Sequence, residues 1–392
     1  MGSESRGPLR LLRETHEERV ISALRTQGPL TRAQLAEQTG LSRATLSSIV
    51  QTLLARRMVT ERGAAEEAVV GTPGAVRRSG AGVRGRPVSV LTLNPGGGLA
   101  VGMDLGHRRV QVTIANVAHE IVASDGIACA ERTSWARRVQ LAIDLVDELT
   151  ARHEISLIGL AGLGVGIVGP VAPELSVRSA REPSPGRSGL VRGALAERFG
   201  VPVSVDNNTR LAALAEATWG AGAGVDSVLY LRLSYGVGGG LVLGGRLLAG
   251  AGGAAGELGH ISVDRDGPRC SCGGRGCLEL YLANLVDEYG GFDSLSSDAI
   301  TAIATRTGEV LAAACNTVNP EVVVVGGELT AAGEHLFRPL RKALREYTHT
   351  QVHRTLRVTQ AQLGYDAAAR GGIALVLTNP PEEAEWRRTS CS

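Results

Sequence analysis

The sequence predicts a multidomain chain, an N-terminal all-α/winged-helix domain followed by a larger α/β body, and three observations predict it. Residues 17–93 carry short helical segments separated by glycine and then two strand-like segments around an Arg/Gly-rich stretch. From residue 96 onward, strand-like apolar runs at Leu99–Leu105, Val110–Ala115, Ile158–Val168 and Ser227–Leu233 alternate with helical periodicity, the pattern of an α/β fold. Charge divides in the same place. The first 87 residues hold 14 arginines against 8 glutamates, and the remainder holds 27 basic and 31 acidic residues. A basic front on a mildly acidic body suggests that only the front meets a polyanion.

Composition narrows the function classes. A chain of 392 residues is too long for one small core. Charged residues are 20% and aromatics 3%, so a globular core must be built from Leu, Val, Ile and Ala. No apolar run reaches the roughly 18 residues of a membrane span, and the charged N-terminus lacks the apolar stretch of a secretory signal. Six cysteines, three of them clustered, suit a reducing compartment and a metal site rather than a disulfide scaffold. The expected setting is the cytoplasm, with no membrane partner.

The front domain is read from its helix signals. Glu17 to Thr26 forms a first helix with Val20, Ile21 and Leu24 on one face, and Gly28-Pro29 ends it. Thr31 to Gln34 makes a capping box that opens a short helix to about Gln38, and Thr39-Gly40-Leu41 supplies the turn. Ser42 caps a third helix whose Leu46, Ile49, Val50, Leu53 and Leu54 follow the 3.6 period. Its other face carries Arg43, Thr45, Ser47, Ser48 and Gln51, short polar groups and an arginine suited to a major groove. An ordinary helical bundle would share these helices. The strand Met58 to Glu61, the loop 63–86 and the returning strand Pro87 to Leu93 favour a wing. Thr31, Ser42, Arg43, Thr45, Ser47 and Ser48 are therefore the expected contacts to a double-stranded DNA operator. Within the loop, Arg84-Gly85-Arg86-Pro87 resembles a minor-groove ribbon, so Arg84 and Arg86 join them. A solvated wing loop remains the alternative for that segment.

The cysteine cluster is the most specific chemical signal. Gly256-Glu257-Leu258-Gly259-His260 precedes Cys270-Ser271-Cys272-Gly273-Gly274-Arg275-Gly276-Cys277-Leu278-Glu279. Three thiols within eight residues and a histidine ten residues upstream match a tetrahedral Cys₃His zinc site, closed and hence structural. The predicted ligands are His260, Cys270, Cys272 and Cys277. An unmetallated loop with free thiols is the alternative.

Taken together, the winged helix, the Gly-Arg-Pro stretch leading to Leu91-Thr92-Leu93-Asn94-Pro95, the Glu257-to-His260 motif and the cysteine motif resemble the ROK family of repressors and sugar kinases. The resemblance runs from about residue 17 to 378. It implies an actin-like (ribonuclease-H-like) sugar-kinase fold, with two α/β lobes around a cleft that takes sugar below and ATP above. It also implies sugar contacts at Asn207, Asn208, Glu257, His260 and Glu279, with His260 serving both metal and sugar. The expected layout is a flexible 1–16, a winged helix at 17–93, a ligand domain at 96–380 with its zinc loop at 257–279, and a tail at 381–392.

Two departures from the family's kinases bear on function. Their Asn-Asp pair appears here as Asn207-Asn208. An amide cannot accept the proton of an attacking hydroxyl, and losing such a base costs about 10²–10⁴ in rate. Their Asp-x-Gly-Gly-Thr segment is here Asp104-Leu105-Gly106-His107-Arg108, although glycines at 236–240 survive as a loop. The expectation is a transcriptional regulator, a homodimer or homotetramer, controlled by a sugar or sugar-phosphate effector and not a kinase. A DNA-binding sugar kinase and a constitutive DNA-binding protein with a vestigial pocket are the competing readings.

Overall fold

The computed structural model describes residues 16–17, 19–24, 27–55, 58–63, 89–94, 98–157, 160–171 and 186–378. The Arg/Gly-rich loop with Arg84 and Arg86, both chain termini and Ile158 lie outside them.

In the front domain, residues 19–24 are helical and bury Val20, Ile21 and Leu24. Helices α1 (Arg32–Thr39) and α2 (Arg43–Ala55) follow. The capping box at Thr31 and Gln34 is present, and Gly40 ends α1 at φ 67°, a left-handed geometry that glycine adopts without Cβ strain. Leu46, Ile49, Val50 and Leu53 are buried as their period predicts, and Leu54 is half-buried. Strand β1 (Leu30–Thr31) precedes α1, and β2 (Val59–Gly63) and β3 (Ser89–Leu93) form the hairpin of the wing. They pair antiparallel from Val59↔Leu93 to Gly63↔Ser89. The two-residue β1 pairs with β3 at Leu30↔Leu91; it is too short to show a period-2 pattern in sequence.

The body is built twice on one plan. Its first sheet has the order β6-β5-β4-β7-β8 and its second β11-β10-β9-β12-β13. The first comprises β4 (Ala100–Leu105), β5 (Arg109–Ala115), β6 (Ile121–Ala128), β7 (Gly162–Ile167) and β8 (Val203–Asn207). The second comprises β9 (Ser227–Leu233), β10 (Val237–Leu243), β11 (Arg246–Leu247), β12 (Val322–Gly326) and β13 (Arg357–Gln360). In each, an antiparallel meander is followed by two strands added in parallel. The parallel additions return through helices. These are α3 (Trp135–Arg152) and α4 (Arg187–Phe199) in the first lobe, then α6 (Leu278–Tyr289), α7 (Ser297–Val318), α8 (Glu334–Tyr347) and α9 (Thr350–Thr355) in the second.

Two boundaries differ from the sequence reading. Of the strand expected at 158–168, the described residues form Gly162–Ile167. The supposed glycine loop at 236–240 is mostly strand, since β10 begins at Val237. Its glycines are there for packing: a Cβ on Gly240 would lie 2.5 Å from the Ala213 Cβ. Glycine hides the alternation by which a strand is recognised.

The last helix of each lobe crosses to the other. Helix α5 (Asn208–Trp219) follows β8 yet packs on β9 and β10, and α10 (Ala367–Thr378) follows the second sheet yet packs on β4 and β7. The two helices lie against each other, so closely that a Cβ on Gly371 would sit 1.9 Å from the Leu211 carbonyl oxygen. Their far ends join the winged helix. Ile373, Val376 and Leu377 of α10, with Ala100, Ala115 and Val117, share one apolar core with Leu24, Leu35, Leu53 and Leu91, and Trp219 of α5 packs against it.

Candidate functional site

The exposed face of α2 presents Arg43, Ser47 and Ser48. Among the described residues none of these three side chains has a recorded hydrogen bond or ion pair. Ser42 and Thr45 bond each other through their hydroxyls at 2.8 Å, and Ser42 Oγ accepts from the Thr45 amide at 3.1 Å. Thr31 Oγ accepts from the Gln34 amide and donates to Gln34 Oε1. These three hydroxyls hold helix ends, while Arg43, Ser47 and Ser48 point outward unencumbered. A contact the sequence reading missed ties α1 to the wing: Arg32 pairs with Glu61 at 3.0 Å, and Ser89 donates to Glu61 at 2.6 Å.

Between the lobes lies a cleft of about 850 Å³, and its lining includes Asn207, Asn208, Glu257, His260 and Glu279. All five sequence-predicted sugar positions thus converge. Asn207 caps α5, accepting from the amides of Thr209 and Arg210 and donating to Gly169 O at 2.9 Å. Asn208 donates to Asp104 Oδ1 at 3.1 Å. Burial holds the Asp104 carboxyl above the usual carboxylate range, against the opposing pull of Arg232 and the bond from Asn208. Glu279, in the first turn of α6, accepts from the Val237 amide at 2.9 Å. Glu257 lies 3.8 Å from His260 Nε2. Arg108 turns its guanidinium over the Tyr235 ring at 3.8 Å and pairs with Glu131.

The other histidine nitrogen faces the cysteines. His260 Nδ1 is 3.7 Å from Cys270 Sγ, and Cys272 and Cys277 Sγ are 3.7 Å apart. The four donor atoms lie within 4.8 Å of one another and could hold a metal ion. The loop closes because Gly276, at φ 59°, lets the chain pass where a Cβ would meet Asp264 O at 1.7 Å. Burial, together with Cys272 and Cys270, pushes the Cys277 thiol up to about 12. Burial also opposes the Cys270 thiolate, but hydrogen bonds from Cys272 prevail and bring it to about 7. Without a cation the three thiols cannot all ionise side by side, whereas a bound cation would hold all three as thiolates.

Sequence reasoning missed several arginines. Arg210, on α5, is buried and pairs with Asp206. It also donates to Gly253 O at 2.6 Å, Ala249 O at 3.2 Å and Val171 O at 3.3 Å, so it fastens the segment leading to Glu257. Its signal was the i,i+4 spacing from Asp206. Arg138, also buried, donates to the carbonyls of His107 and Glu131 and pins the turn after Asp104.

The ROK family profile matches residues 100–286 and 284–379. The chain belongs to the ROK family. A MarR family profile matches residues 17–67, so this ROK protein carries a MarR-like winged helix ahead of the sugar-kinase fold. It is similar to the xylose repressor of Bacillus subtilis (strain 168), at 25% identity over 384 residues, covering 93% of this chain and 96% of that one. Among solved structures, a ROK family transcriptional regulator described as a homologue of the E. coli MLC protein superposes with a TM-score of 0.72 at 24% identity, over 93% of this chain and 96% of that one. The ROK hexokinase from Thermus thermophilus superposes at 0.58 and 28% identity, covering 71% of this chain and 97% of the hexokinase.

Proposed function

We propose that this ROK protein is a DNA-binding transcriptional repressor switched by a sugar or sugar derivative in the interlobe cleft, without phosphoryl transfer. The observation that carries the reading is the continuity of structure from cleft to winged helix. Helix α5 begins at Asn208 in the cleft and ends at Trp219 against the winged-helix core. Helix α10 begins with Ala367 and Ala368 in the cleft lining and ends with Val376 and Leu377 in that core. Each helix spans about 18 Å and touches both lobes, so a change in lobe closure moves the base on which α2 stands. A ligand that binds the closed state more tightly shifts that equilibrium, with tenfold selectivity giving about 1.4 kcal/mol of coupling. Likeness to a named repressor along nearly the whole chain supports the same reading.

Glu257, His260, Glu279 and the Asn207-Asn208 pair are the proposed sugar contacts. Asn208 stands where the family's kinases carry their base, and its amide is occupied with Asp104. Direct measurement is expected to show sugar-dependent change in operator affinity by fluorescence anisotropy, with no sugar-dependent ATP consumption in a coupled assay. Glu257→Ala is expected to abolish the sugar response and leave sugar-free operator binding intact. Sugar-dependent ATP consumption that Asn208→Ala removes would instead establish a kinase.

The proposed metal is one structural Zn²⁺ on His260, Cys270, Cys272 and Cys277. Tetrahedral zinc with Zn–S of about 2.3 Å separates its sulfurs by ~3.8 Å, and the thiol spacing of 3.7 Å fits. Bound zinc would neutralise the thiolates and crosslink the loop. His260 then keeps Nε2 toward Glu257, fixing the cleft side of the loop.

For DNA, the proposed readers are Arg43, Ser47 and Ser48 in the major groove, with Thr31, Ser42 and Thr45 at the helix ends beside the phosphates, and Arg84 and Arg86 in a flanking minor groove. The protein acts as a dimer or tetramer in the cytoplasm, because helix-turn-helix proteins read paired half-sites. No described helix is long and apolar enough to cross a membrane. Arg43→Ala is expected to cost about 1–3 kcal/mol of operator preference. The Arg84→Ala/Arg86→Ala pair is expected to flatten the salt dependence of binding by about two counterions. Anisotropy titrations across salt check both, and unchanged slopes and preference would remove the assignment.

A further inference from the structure

The chain crosses between the lobes twice. It runs from β8 directly into α5 at Asn207 and Asn208, and it returns from β13 to α10 through residues 361–366. Ala361, Gln362, Gly364 and Tyr365 of the return segment line the same cleft as Glu257, His260 and Glu279. The two ends of this segment are fastened to different lobes. The Ala361 amide donates to Val325 O at 2.8 Å, on the second sheet. Asp366 Oδ1 accepts from Gln111 Nε2 at 2.6 Å and from Ser124 Oγ at 3.0 Å, on β5 and β6 of the first. Between them Gly364 takes φ 56°, a left-handed turn that glycine adopts without Cβ strain. The segment is a strap between the lobes, and closure of the cleft moves one of its ends against the other.

A single side chain holds the middle of the strap. Glu216, fully buried on α5, accepts on Oε1 from the amides of Gln362 at 2.9 Å and Leu363 at 2.8 Å. On Oε2 it accepts from the Ala221 amide at 2.9 Å. One carboxylate therefore joins the strap to the chain that leaves α5. A Cβ on Gly220 would lie 2.0 Å from Glu216 Oε2, so glycine there makes room for it. The position is costly for an acid. A negative group in the last turn of a helix opposes the helix dipole, and burial adds to that unless hydrogen bonds compensate. Among the described residues Glu216 has no recorded ion pair within 4 Å. What it supplies that an amide or apolar side chain does not is acceptors on both oxygens, enough for all three backbone donors.

Less than one helical turn beyond Glu216 stands Trp219, the last residue of α5. Its indole Nε1 donates to His119 Nδ1 at 3.1 Å, in the turn between β5 and β6, and its ring packs against the winged-helix core. That core rests otherwise on the first lobe, on Ala100 and Ala115 and on the end of α10. Helix α10 packs on the first sheet and α5 on the second. Among the described residues, Trp219 is therefore the one contact through which a helix of the second lobe reaches the apolar core of the winged helix. We propose that Glu216 is the positioning residue that carries cleft closure to the winged helix, by making the strap and the end of α5 move as one. This deepens the proposed function and rests on its reading of the protein as a sugar-switched repressor.

The test uses the full-length protein and a DNA duplex selected from random sequence for tight binding to it. The probes are xylose, glucose, N-acetylglucosamine, glucose 6-phosphate and N-acetylglucosamine 6-phosphate. Fluorescence anisotropy measures duplex affinity with and without each probe at saturation, and titration calorimetry measures probe binding without DNA. In the unmodified protein at least one probe is expected to shift duplex affinity tenfold or more. Glu216→Ala is expected to retain binding of that probe and of the duplex, with the shift reduced below twofold. Glu216→Gln, which keeps one acceptor oxygen, is expected to give an intermediate shift. A residue that only stabilises the fold would lower the melting point in both variants and leave the shift unchanged, and that result would overturn the proposal. Hydrogen exchange on the unmodified protein tests the same link without a substitution. Peptides covering 216–222 and 359–366 are expected to change protection together when the probe is added. A change in 359–366 alone would overturn the proposal while the sugar reading stands. Failure of every probe to bind, or to shift duplex affinity, would overturn the sugar-switch reading itself and this proposal with it.

Discussion

Cys272→Ser is expected to empty the metal site and lower the thermal midpoint by roughly 10 °C. The reasoning starts from the loop. Residues 257–277 are held by turns, glycines and isolated bridges rather than by long ladders, so their order depends on the donors converging. Structural zinc contributes about 10–16 kcal/mol in small zinc peptides. Here the second lobe has its own core around Leu229, Leu231, Val323 and Val325, so only part of that energy is at stake. A loss of ~4 kcal/mol, at about 2–4 °C per kcal/mol for domains of this size, gives the stated shift. Because His260 and Glu257 face the cleft from the same loop, the variant is also expected to lose its sugar response. Elemental analysis should fall from one zinc per chain to near none, with calorimetry reporting the midpoint. Full zinc content, or an unchanged midpoint after its loss, contradicts the structural role.

Arg210→Met is expected to destabilise the protein by about 3–5 kcal/mol, the range for stranding one member of a buried ion pair. Side-chain exposure is 3% for Arg210 and 15% for Asp206, so water cannot replace the lost partner. The carbonyls of Gly253 and Ala249 lose their donor as well. Asp206→Asn added to Arg210→Met should recover much of the loss, because the penalty is chiefly the uncompensated carboxylate. Urea unfolding of the two single variants and the double variant measures this, and additive losses would rule the account out. A pH effect accompanies it. Burial already holds the Asp206 carboxyl above its ordinary range, with Arg210 pulling it down. Without Arg210 the folded state binds that proton more tightly than the unfolded state does. Stability of Arg210→Met should therefore fall further below wild type as pH rises through the folded value, and the gap should narrow toward mild acid.

Much of the local architecture was legible. Thr31 and Gln34, three residues apart, announced a capping box that the structure contains. The strands at 100–105, 109–115 and 227–233 were expected within a residue or so. The thiols and His260 were grouped by spacing alone, and they meet in space. Legibility failed where glycine or brevity erased the pattern, at β1 and β10, and where a residue's role depends on a distant partner. Arg138 reads as an ordinary helix-surface charge until the turn after Asp104 is placed against it.

The sequence by itself determined what depends on neighbours a few positions away: the caps, the helical faces, the spacing of the metal donors, and the amide at position 208 that cannot act as a base. These are short-range facts of hydrogen bonding, periodicity and side-chain chemistry. Only the tertiary structure decided that the body is one plan used twice, that α5 and α10 cross between the lobes, and that their far ends enter the winged-helix core. Those arrangements rest on contacts such as Gly371 with Leu211 or Gly240 with Ala213. There the informative property is an absent Cβ whose meaning exists only once the opposing backbone is in place.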